Sequence, residues 1–190
     1  DGETRPNVYS PKDRREAFLF GDGGVAALIE RNPGFGTSWF SLNSDGSRGD
    51  LIKINGGGYR MPSSPETLRE KVVDEYGNIR SEEQGYMQGA DVFNFVIREI
   101  PRDIKRLAEW SGEDLQGLDY YVFHQANNFI NTYLAKKLRL DAERIPSTIA
   151  KFGNTSSVSV PLPIASELKG RMVGDRKLLL SAFGGGMTWG

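Results

Sequence analysis

The chain has 190 residues, of which 38% are hydrophobic and 11% aromatic, enough to bury a core as one domain or two small ones. Its formal net charge of -1 excludes a broad electrostatic attraction to nucleic acid or to anionic membranes. The chain contains no cysteine, which excludes disulfides, zinc-thiolate sites and a cysteine nucleophile of its own.

The sequence predicts neither a membrane span nor a secretory leader. No apolar run approaches the roughly 20 residues that cross a bilayer. The chain begins at Asp1 without a basic and then apolar segment, so we expect no secretory signal and a cytoplasmic protein. A start at Asp1-Gly2 is typical of a processed product or of a piece of a longer protein.

The first 54 residues favour a lead-in followed by strands. Residues 1–16 are polar and read as an extended lead-in, after which residues 18–29 predict a buried strand interrupted by the glycines of residues 21–24. These glycines would serve a β-bulge or tight packing. A phosphate-cradling loop would need a following helix, whereas residues 25–29 favour a strand. Residues 35–42 and 51–54 resemble a hairpin with a long loop.

The middle of the chain combines an irregular segment with the longest helical pattern. Residues 55–86 are predicted to form an excursion or lid, and residues 64–75 favour a short helix because Pro65 suits a first helical turn. Residues 87–110 carry an apolar stripe at helical spacing. Pro101 lies inside this pattern and should kink the helix or divide it in two. Ser111 and Gly112 then end it.

The only histidine of the chain, His124, follows a predicted strand at residues 120–123 and precedes a predicted helix at residues 127–140. It would lie at the carboxyl end of a strand, where ligands bind in open α/β sheets. Imidazole suits proton transfer or hydrogen-bond donation near neutral pH. The alternative is a half-buried histidine that only satisfies nearby backbone groups.

The last third of the chain predicts two further loops that resemble the one at His124. A small polar run at residues 154–159 precedes a predicted helix at residues 162–168, which could begin at Ser159 to Pro161 or earlier. Residues 177–183 predict a buried strand that ends in three glycines, residues 184–186. We expect the loops at His124, Asn154 and residues 184–186 to converge on one rim.

At this point the sequence resembles a known family. Five motifs occur in the order found in the carboxyl-terminal half of 3-oxoacyl-acyl-carrier-protein synthase III: Phe20-Gly21-Asp22-Gly23; Met87 with Gly89, Val92 and Phe93; His124-Gln125-Ala126-Asn127; Gly153-Asn154-Thr155-Ser156 with Ser159-Val160-Pro161; and Phe183-Gly184-Gly185-Gly186-Met187-Thr188-Trp189-Gly190. The resemblance covers nearly the whole chain and is weakest at residues 56–86.

The resemblance implies an α/β fold that is one half of a thiolase-like protein, with a five-stranded mixed sheet and helices packed on its faces. Residues 1–16 would lead in from a missing amino-terminal half, and residues 17–190 would form the carboxyl-terminal domain. Family members transfer an acyl group from acyl-CoA to a cysteine of the first half. Malonyl-acyl carrier protein then loses CO₂ and attacks the thioester.

The same resemblance assigns roles to individual residues. His124 and Asn154 would donate hydrogen bonds to the malonyl thioester oxygen and stabilise the enolate. The backbone N–H of Gly185 would contribute to the oxyanion hole for acyl transfer. Gly89, Phe93 and Asn127 match positions that line the substrate tunnel and its surroundings. The resemblance implies no cofactor and no metal, only acyl-CoA and malonyl thioester substrates.

Partner binding follows the family less closely. Lys136 and Lys137 match basic positions that dock the carrier protein, but Phe129 and Asn94 stand where arginine and lysine are common, and Ala90 replaces an asparagine common near CoA. CoA thioesters or another acyl acceptor are therefore alternatives to the carrier protein. A homodimer is expected for the full-length protein. The fragment alone should be inactive, because it lacks the nucleophile.

Two other functions compete with this assignment. The first keeps the fold but transfers an acyl group to a hydroxyl or amine without decarboxylation, as in secondary metabolism. The second is a non-catalytic module whose glycine loops bind a nucleotide or another phosphate ligand. The second is ranked last, because no glycine-rich loop with a lysine opens a helix.

Overall fold

The computed structural model describes residues 1–4 and 8–190, so residues 5–7 of the predicted lead-in lie outside the described residues. The described residues form five α-helices and eleven short strands, joined by turns of 3-10 helix. The helices are α1 (Pro65–Leu68), α2 (Gly89–Ser111), α3 (Asn128–Leu138), α4 (Ile149–Phe152) and α5 (Pro161–Ser166). The strands are β1 (Gly2–Glu3), β2 (Gly23–Gly24), β3 (Asn43–Ser44), β4 (Ile52–Lys53), β5 (Lys71–Val72), β6 (Ile79–Arg80), β7 (Tyr86–Met87), β8 (Tyr120–Phe123), β9 (Leu178–Ser181), β10 (Phe183–Gly184) and β11 (Thr188–Trp189).

The central pairing joins β8 to β9 in parallel, with Tyr120 opposite Leu178 and Phe123 opposite Ser181. Ala182 alone separates β9 from β10, and its N–H and C=O both bond to Gly190 beyond β11. Antiparallel pairings then continue from β10 to β11 and from β11 to β3. Parallel and antiparallel pairs therefore follow one another across this part of the fold, as in a mixed sheet.

Helix α2 covers the core, because its apolar stripe packs on the sheet and on α3. Val96, Ile100 and Ile104 of α2 lie in one cluster of buried side chains with Ile130 and Leu134 of α3. The helix runs continuously through Pro101 and ends at Gly112, whose φ of 70° is the left-handed conformation that glycine adopts easily. The predicted helix is confirmed, whereas its division at Pro101 is wrong. No helix among the described residues is long and apolar enough to cross a membrane.

The short elements of the second half also match the sequence predictions. The strand at residues 120–123 and the helix beyond Asn127 are confirmed as β8 and α3. The predicted helix near residues 162–168 begins at Pro161, and the strand near residues 177–183 is β9 followed by β10. The α/β class is therefore correct for the described residues.

The predicted five-stranded sheet is not found, because the pairings among the described residues form sheets of two and three strands. Residues 25–29 and 35–42 are not strands, and Leu28, Ile29, Phe40 and Leu42 are exposed. A strand needs a neighbour to bond its N–H and C=O groups. Within the described chain, the backbone of residues 26–42 forms hydrogen bonds only in the turn at residues 32–35, where Phe35 donates to the Asn32 carbonyl and Gly34 donates to the Asn32 side chain. Apolar alternation alone could not supply that neighbour.

The hairpin predicted between residues 35–42 and 51–54 is also wrong. The residues expected to form its loop contain β3, which pairs with β11 at the end of the chain, whereas β4 pairs with β7. Between β4 and β7, helix α1 begins at Pro65, as the proline predicted, with a reciprocal capping box between Ser64 and Thr67. The helix ends at Leu68 and residues 71–72 form β5, which pairs with β6, so the helix predicted at residues 64–75 is wrong beyond Leu68. The role of residues 55–86 as an excursion or lid stays a prediction.

A buried acidic pair ties the lead-in to the rest of the fold. Asp13 is 1% exposed and forms ion pairs with Arg15 and Arg80; burial raises its pKa, but these hydrogen bonds outweigh burial and the net pKa is lowered. Glu16 is 2% exposed, and its Oε1 accepts the N–H of Met87 at 3.0 Å. Its Oε2 has no partner among the described residues. Burial raises the pKa of Glu16 from 4.5 to about 7.

We expect Glu16→Gln to stabilise the fold increasingly as pH rises from about 4.5 to about 7. Across this window the folded protein keeps a proton that the unfolded chain releases, so the free energy of unfolding falls with pH in the unmodified chain. Glutamine does not ionise, and the difference should grow by on the order of 3 kcal/mol. Urea unfolding at several pH values measures it. Glu109→Gln, at an exposed position, is the control, and a pH-independent difference would contradict the prediction.

Candidate active site

Strand β8 places His124 at the carboxyl end of the parallel pair. Tyr121, Val122 and Phe123 are buried, so the strand is fixed in the core before the histidine is reached. The N–H of His124 donates to the carbonyl of Ser181 at 2.8 Å, which extends the pairing with β9 by one residue. The histidine backbone is therefore held at the edge of the core, as the sequence predicted.

The turn from β8 into α3 is held by two amide side chains. Gln125 is fully buried; its Nε2 donates to the carbonyl of Phe123 at 2.6 Å, and its Oε1 accepts the N–H of Thr148 at 3.0 Å. Asn127 caps α3, because its Oδ1 accepts the N–H of Ile130 at 2.9 Å. Asn127, a predicted tunnel residue, thus also has a structural role. Both contacts limit movement of the loop that carries His124.

The imidazole of His124 is enclosed by polar and aromatic neighbours. Its Nδ1 lies 2.5 Å from the Oγ of Ser159, and the Phe183 ring stands edge-on to it at a centroid distance of 5.0 Å. Burial lowers the pKa of His124 to about 4, and a hydrogen bond with the backbone of Ser156 acts in the opposite direction. The ring is therefore neutral at pH 7, although part of the residue reaches solvent.

Asn154 is brought close to the same segment. Its backbone bridges to Phe20: its N–H donates to Leu19, and its carbonyl accepts from Gly21, each at 3.0 Å. Its Oδ1 accepts the N–H of Ser156 at 2.9 Å, which leaves its amide NH₂ without a hydrogen bond among the described residues. The His124 ring bonds to Ser159 and the Asn154 side chain bonds to Ser156, which are the last and first residues of the 3-10 helix Ser156–Ser159, so the structure brings these two predicted site residues to one place.

The glycine loop begins beside the histidine. Phe183 of β10 contacts the His124 ring, and Gly185 follows in the exposed turn between β10 and β11. A Cβ on Gly185 would meet the carbonyl oxygen of Ile52 at 3.4 Å, an ordinary contact. Gly186 is more constrained, because its φ is 138° and a Cβ there would lie 2.5 Å from Thr188 Oγ1. The conformation of the turn requires Gly186 more than Gly185.

The remaining predicted substrate residues lie on α2. Gly89 is its exposed first residue, and a Cβ added there would meet no atom within 4 Å. Phe93 packs against the core and meets the Phe129 ring at a centroid distance of 5.5 Å. No hydrogen bond or ring contact among the described residues joins Gly89 or Phe93 to His124 or Asn154. The described hydrogen bonds and ring contacts therefore do not link these two groups of predicted site residues.

The predicted docking lysines lie exposed in the last turn of α3. Lys137 also lines a groove of about 430 Å³ between α2 and α3, which we call the basic groove. Its lining comprises Asn94, Ile97, Arg98, Pro101, Arg102, Lys105, Tyr133 and Lys137, with four basic side chains and no acidic one among these residues. Lys136 lies beside the groove in sequence but not in its lining.

Sequence reasoning missed Ser159, Gln125 and the ring contact of Phe183. Ser159 was noted as a residue that could begin a helix and as part of one family motif, in both cases without a role, and it lies in a run of small hydroxyl residues. A buried imidazole needs a polar partner at each nitrogen, which is the only signal that predicts such a serine. Within residues 1–4 and 8–190, no group of three or more His, Asp or Glu residues could hold a metal ion.

Comparison with known proteins relates this arrangement to one family. The family model described as 3-oxoacyl-[acyl-carrier-protein (ACP)] synthase III C terminal matches residues 108–190. Over 191 aligned residues the chain is 32% identical to beta-ketoacyl-[acyl-carrier-protein] synthase III of Streptococcus pneumoniae, an alignment that covers 99% of this chain and 55% of the relative. The chain thus spans about half the length of the curated relatives it matches.

Solved structures give the same result. The structure of beta-ketoacyl-[acyl carrier protein] synthase III from Thermus thermophilus superposes with a TM-score of 0.82 at 29% identity, covering 99% of this chain and 55% of that one. A 3-oxoacyl-(acyl-carrier protein) synthase from Burkholderia xenovorans LB400 superposes with a TM-score of 0.76 at 31% identity, covering 99% and 52%. The chain is therefore similar in sequence to 3-oxoacyl-[acyl-carrier-protein] synthase III proteins over about half of their length, and it has the thiolase-like α/β fold of these structures.

Proposed function

We propose that the chain is the carboxyl-terminal domain of a decarboxylating condensing enzyme of fatty acid biosynthesis. The enzyme joins an acyl group from acyl-CoA to malonyl-acyl carrier protein in the cytoplasm. The observation that carries the proposal is that His124 bonds to Ser159 and Asn154 to Ser156, at the two ends of one 3-10 helix, in a place where the imidazole is neutral. Two neutral hydrogen-bond donors side by side suit an oxygen that becomes negative during reaction.

The chemistry of decarboxylation explains why these residue types are needed. When the bond between the malonyl carboxylate and the α-carbon breaks, CO₂ leaves and its electron pair forms an enolate whose charge rests on the thioester oxygen. The imidazole N–H and the amide NH₂ of Asn154 stabilise that oxygen. The enolate carbon then attacks the acyl thioester and expels the cysteine thiolate.

When the enolate carbon attacks the acyl thioester, the thioester oxygen becomes an oxyanion, and we assign its stabilisation to the glycine loop. Gly185 lies in the turn that follows Phe183, and Phe183 contacts the His124 ring, so the turn starts at the same rim. We assign the Gly185 N–H to the tetrahedral oxyanion and Gly89, Phe93 and Asn127 to the substrate tunnel. No cofactor takes part in these steps.

The proposal requires a second half that carries the cysteine nucleophile. This chain contains no cysteine and is therefore inactive alone. The exposed apolar side chains of residues 18–42, which include Phe18, Leu28, Ile29 and Phe40, support a covering partner because they lie on unpaired backbone. We propose that the other half covers them and that the full-length protein is a homodimer.

We propose further that an acidic carrier protein docks on the basic groove and on Lys136. Within the described structure, Lys105 and Lys137 have no ion pair, whereas Arg98 and Arg102 share one carboxylate, Glu99. These basic side chains compensate for the positive charge that is missing at Phe129 and Asn94, which stand where the family commonly has arginine and lysine. CoA thioesters as the acceptor remain the alternative that a docking measurement tests.

His124→Ala in the full-length protein should reduce release of CO₂ from a malonyl thioester about a hundredfold or more, because one preorganised donor is lost. Acylation of the cysteine should be largely unchanged. Labelled CO₂ release and acyl-enzyme mass measure the two steps, with Thr132→Ala, an exposed position of α3, as the control. An unchanged rate of CO₂ release in His124→Ala would refute the role.

The competing functions give different results in the same preparation. Product formation without CO₂ would indicate acyl transfer to a hydroxyl or amine. A calorimetric titration with tight binding of ATP and none of CoA would indicate a nucleotide-binding module.

Lys137→Glu should weaken binding of malonyl-acyl carrier protein about three- to tenfold at low salt, since an attraction is replaced by a repulsion. The effect should shrink as ionic strength rises. Lys169→Glu changes net charge equally at an exposed lysine outside the groove lining, and is the matched control. Equal losses of affinity in both variants would show that net charge, not the basic groove, governs binding.

A further inference from the structure

The hydrogen bond between Ser159 and His124 has a direction that the structure determines. Ser159 is fully buried at the end of the 3-10 helix Ser156–Ser159, and its Oγ lies 2.5 Å from His124 Nδ1. Either atom could donate in principle, because a neutral imidazole carries its proton on one nitrogen only. The two directions leave opposite nitrogens protonated, so they give the ring opposite chemical properties.

The two directions can be distinguished by asking whether the hydroxyl proton of Ser159 has an acceptor. Among the described residues, the Oγ of Ser159 has no hydrogen-bond partner other than His124. If Nδ1–H donated to the serine, the hydroxyl proton would be buried without an acceptor, which is unfavourable. Donation from the hydroxyl to the Nδ1 lone pair leaves no such group. The serine is thus the donor, and Nδ1 is the acceptor.

We propose that Ser159 is a positioning residue that fixes His124 as the tautomer protonated at Nε2. The edge-on ring of Phe183 opposes rotation of the imidazole, so the nitrogens do not exchange places, and the bond from the His124 backbone N–H to Ser181 holds the backbone that carries the ring. Fully buried Val158 anchors the 3-10 helix that carries the serine.

The consequence for catalysis rests on the proposed function. Stabilisation of an enolate oxygen requires an N–H directed at the substrate, and the opposite tautomer would present a lone pair that repels the oxygen. A cationic imidazole carries an N–H on both nitrogens, whereas a neutral one carries only one, so the position of that proton decides whether the ring can donate to the substrate. Ser159 would therefore increase the fraction of protein whose histidine can act as the donor, without touching the substrate itself.

The experiment is nitrogen-15 NMR of the 190-residue chain, in which His124 is the only histidine and its ring signals are unambiguous. At pH 7, long-range proton–nitrogen correlations should show Nε2–H in the unmodified chain. Ser159→Ala should produce a mixture of tautomers. It should also raise the His124 pKa by about half a unit to one unit, because a bond to the neutral ring is lost.

Ser181→Ala is the matched control, since Ser181 is also buried but contacts His124 through its backbone carbonyl. It should leave the tautomer and the pKa unchanged. Nδ1–H in the unmodified chain would overturn the inference even if Ser159→Ala does not fold. A lower pKa in Ser159→Ala, or an unaltered tautomer, would overturn it as well.

The proposed function can fail separately from this inference. If NMR shows Nε2–H but His124→Ala releases CO₂ at the normal rate, the effect of Ser159 on the tautomer would stand. The role of His124 in stabilising the enolate would then be rejected.

Discussion

The parallel pairing of β8 with β9 is the constraint on which the site depends. It brings together segments more than 50 residues apart, and it ends at the bond from His124 to Ser181. The same strand continues through Ala182 into β10, which places Phe183 against the imidazole and starts the glycine loop. One ladder therefore fixes the histidine, its aromatic neighbour and the turn, and a shift in register would separate all three.

The electrostatics of the rim favour donors over charges. A cationic histidine would attract a developing enolate more strongly, but desolvation holds the pKa of His124 near 4 and keeps the ring neutral. A neutral donor also avoids binding the malonyl carboxylate as an ion pair, which would stabilise the substrate before CO₂ leaves. In the proposed reaction, burial keeps the imidazole neutral, so the ring stabilises the charge that develops on the enolate oxygen more than the charge of the substrate carboxylate.

The sequence predicted elements whose stability is local or periodic. The helical periods of α2 and α3 and the apolar run of β8 could each be recognised, because helix period and burial leave marks in the residues themselves. Residues 25–42 failed because strand formation depends on a neighbouring backbone, which no pattern within the segment reveals. Resemblance gave His124 and Asn154 their expected roles, but Ser159 is one hydroxyl among several and became visible only through its contact with Nδ1.

The 3-10 helix Ser156–Ser159 links the two proposed donors more closely than their sequence separation indicates. Its first residue binds the Asn154 side chain through a backbone N–H, and its last residue binds the His124 ring through a hydroxyl. Ser156 has a φ of 55°, uncommon for a residue with a side chain, and the hydrogen bond to Asn154 helps to hold it there. Because a single turn contacts both side chains, a change in its conformation would displace both donors together. In the proposed reaction, the spacing of the two hydrogen bonds to an enolate oxygen would thus depend on this turn rather than on the longer loops around it.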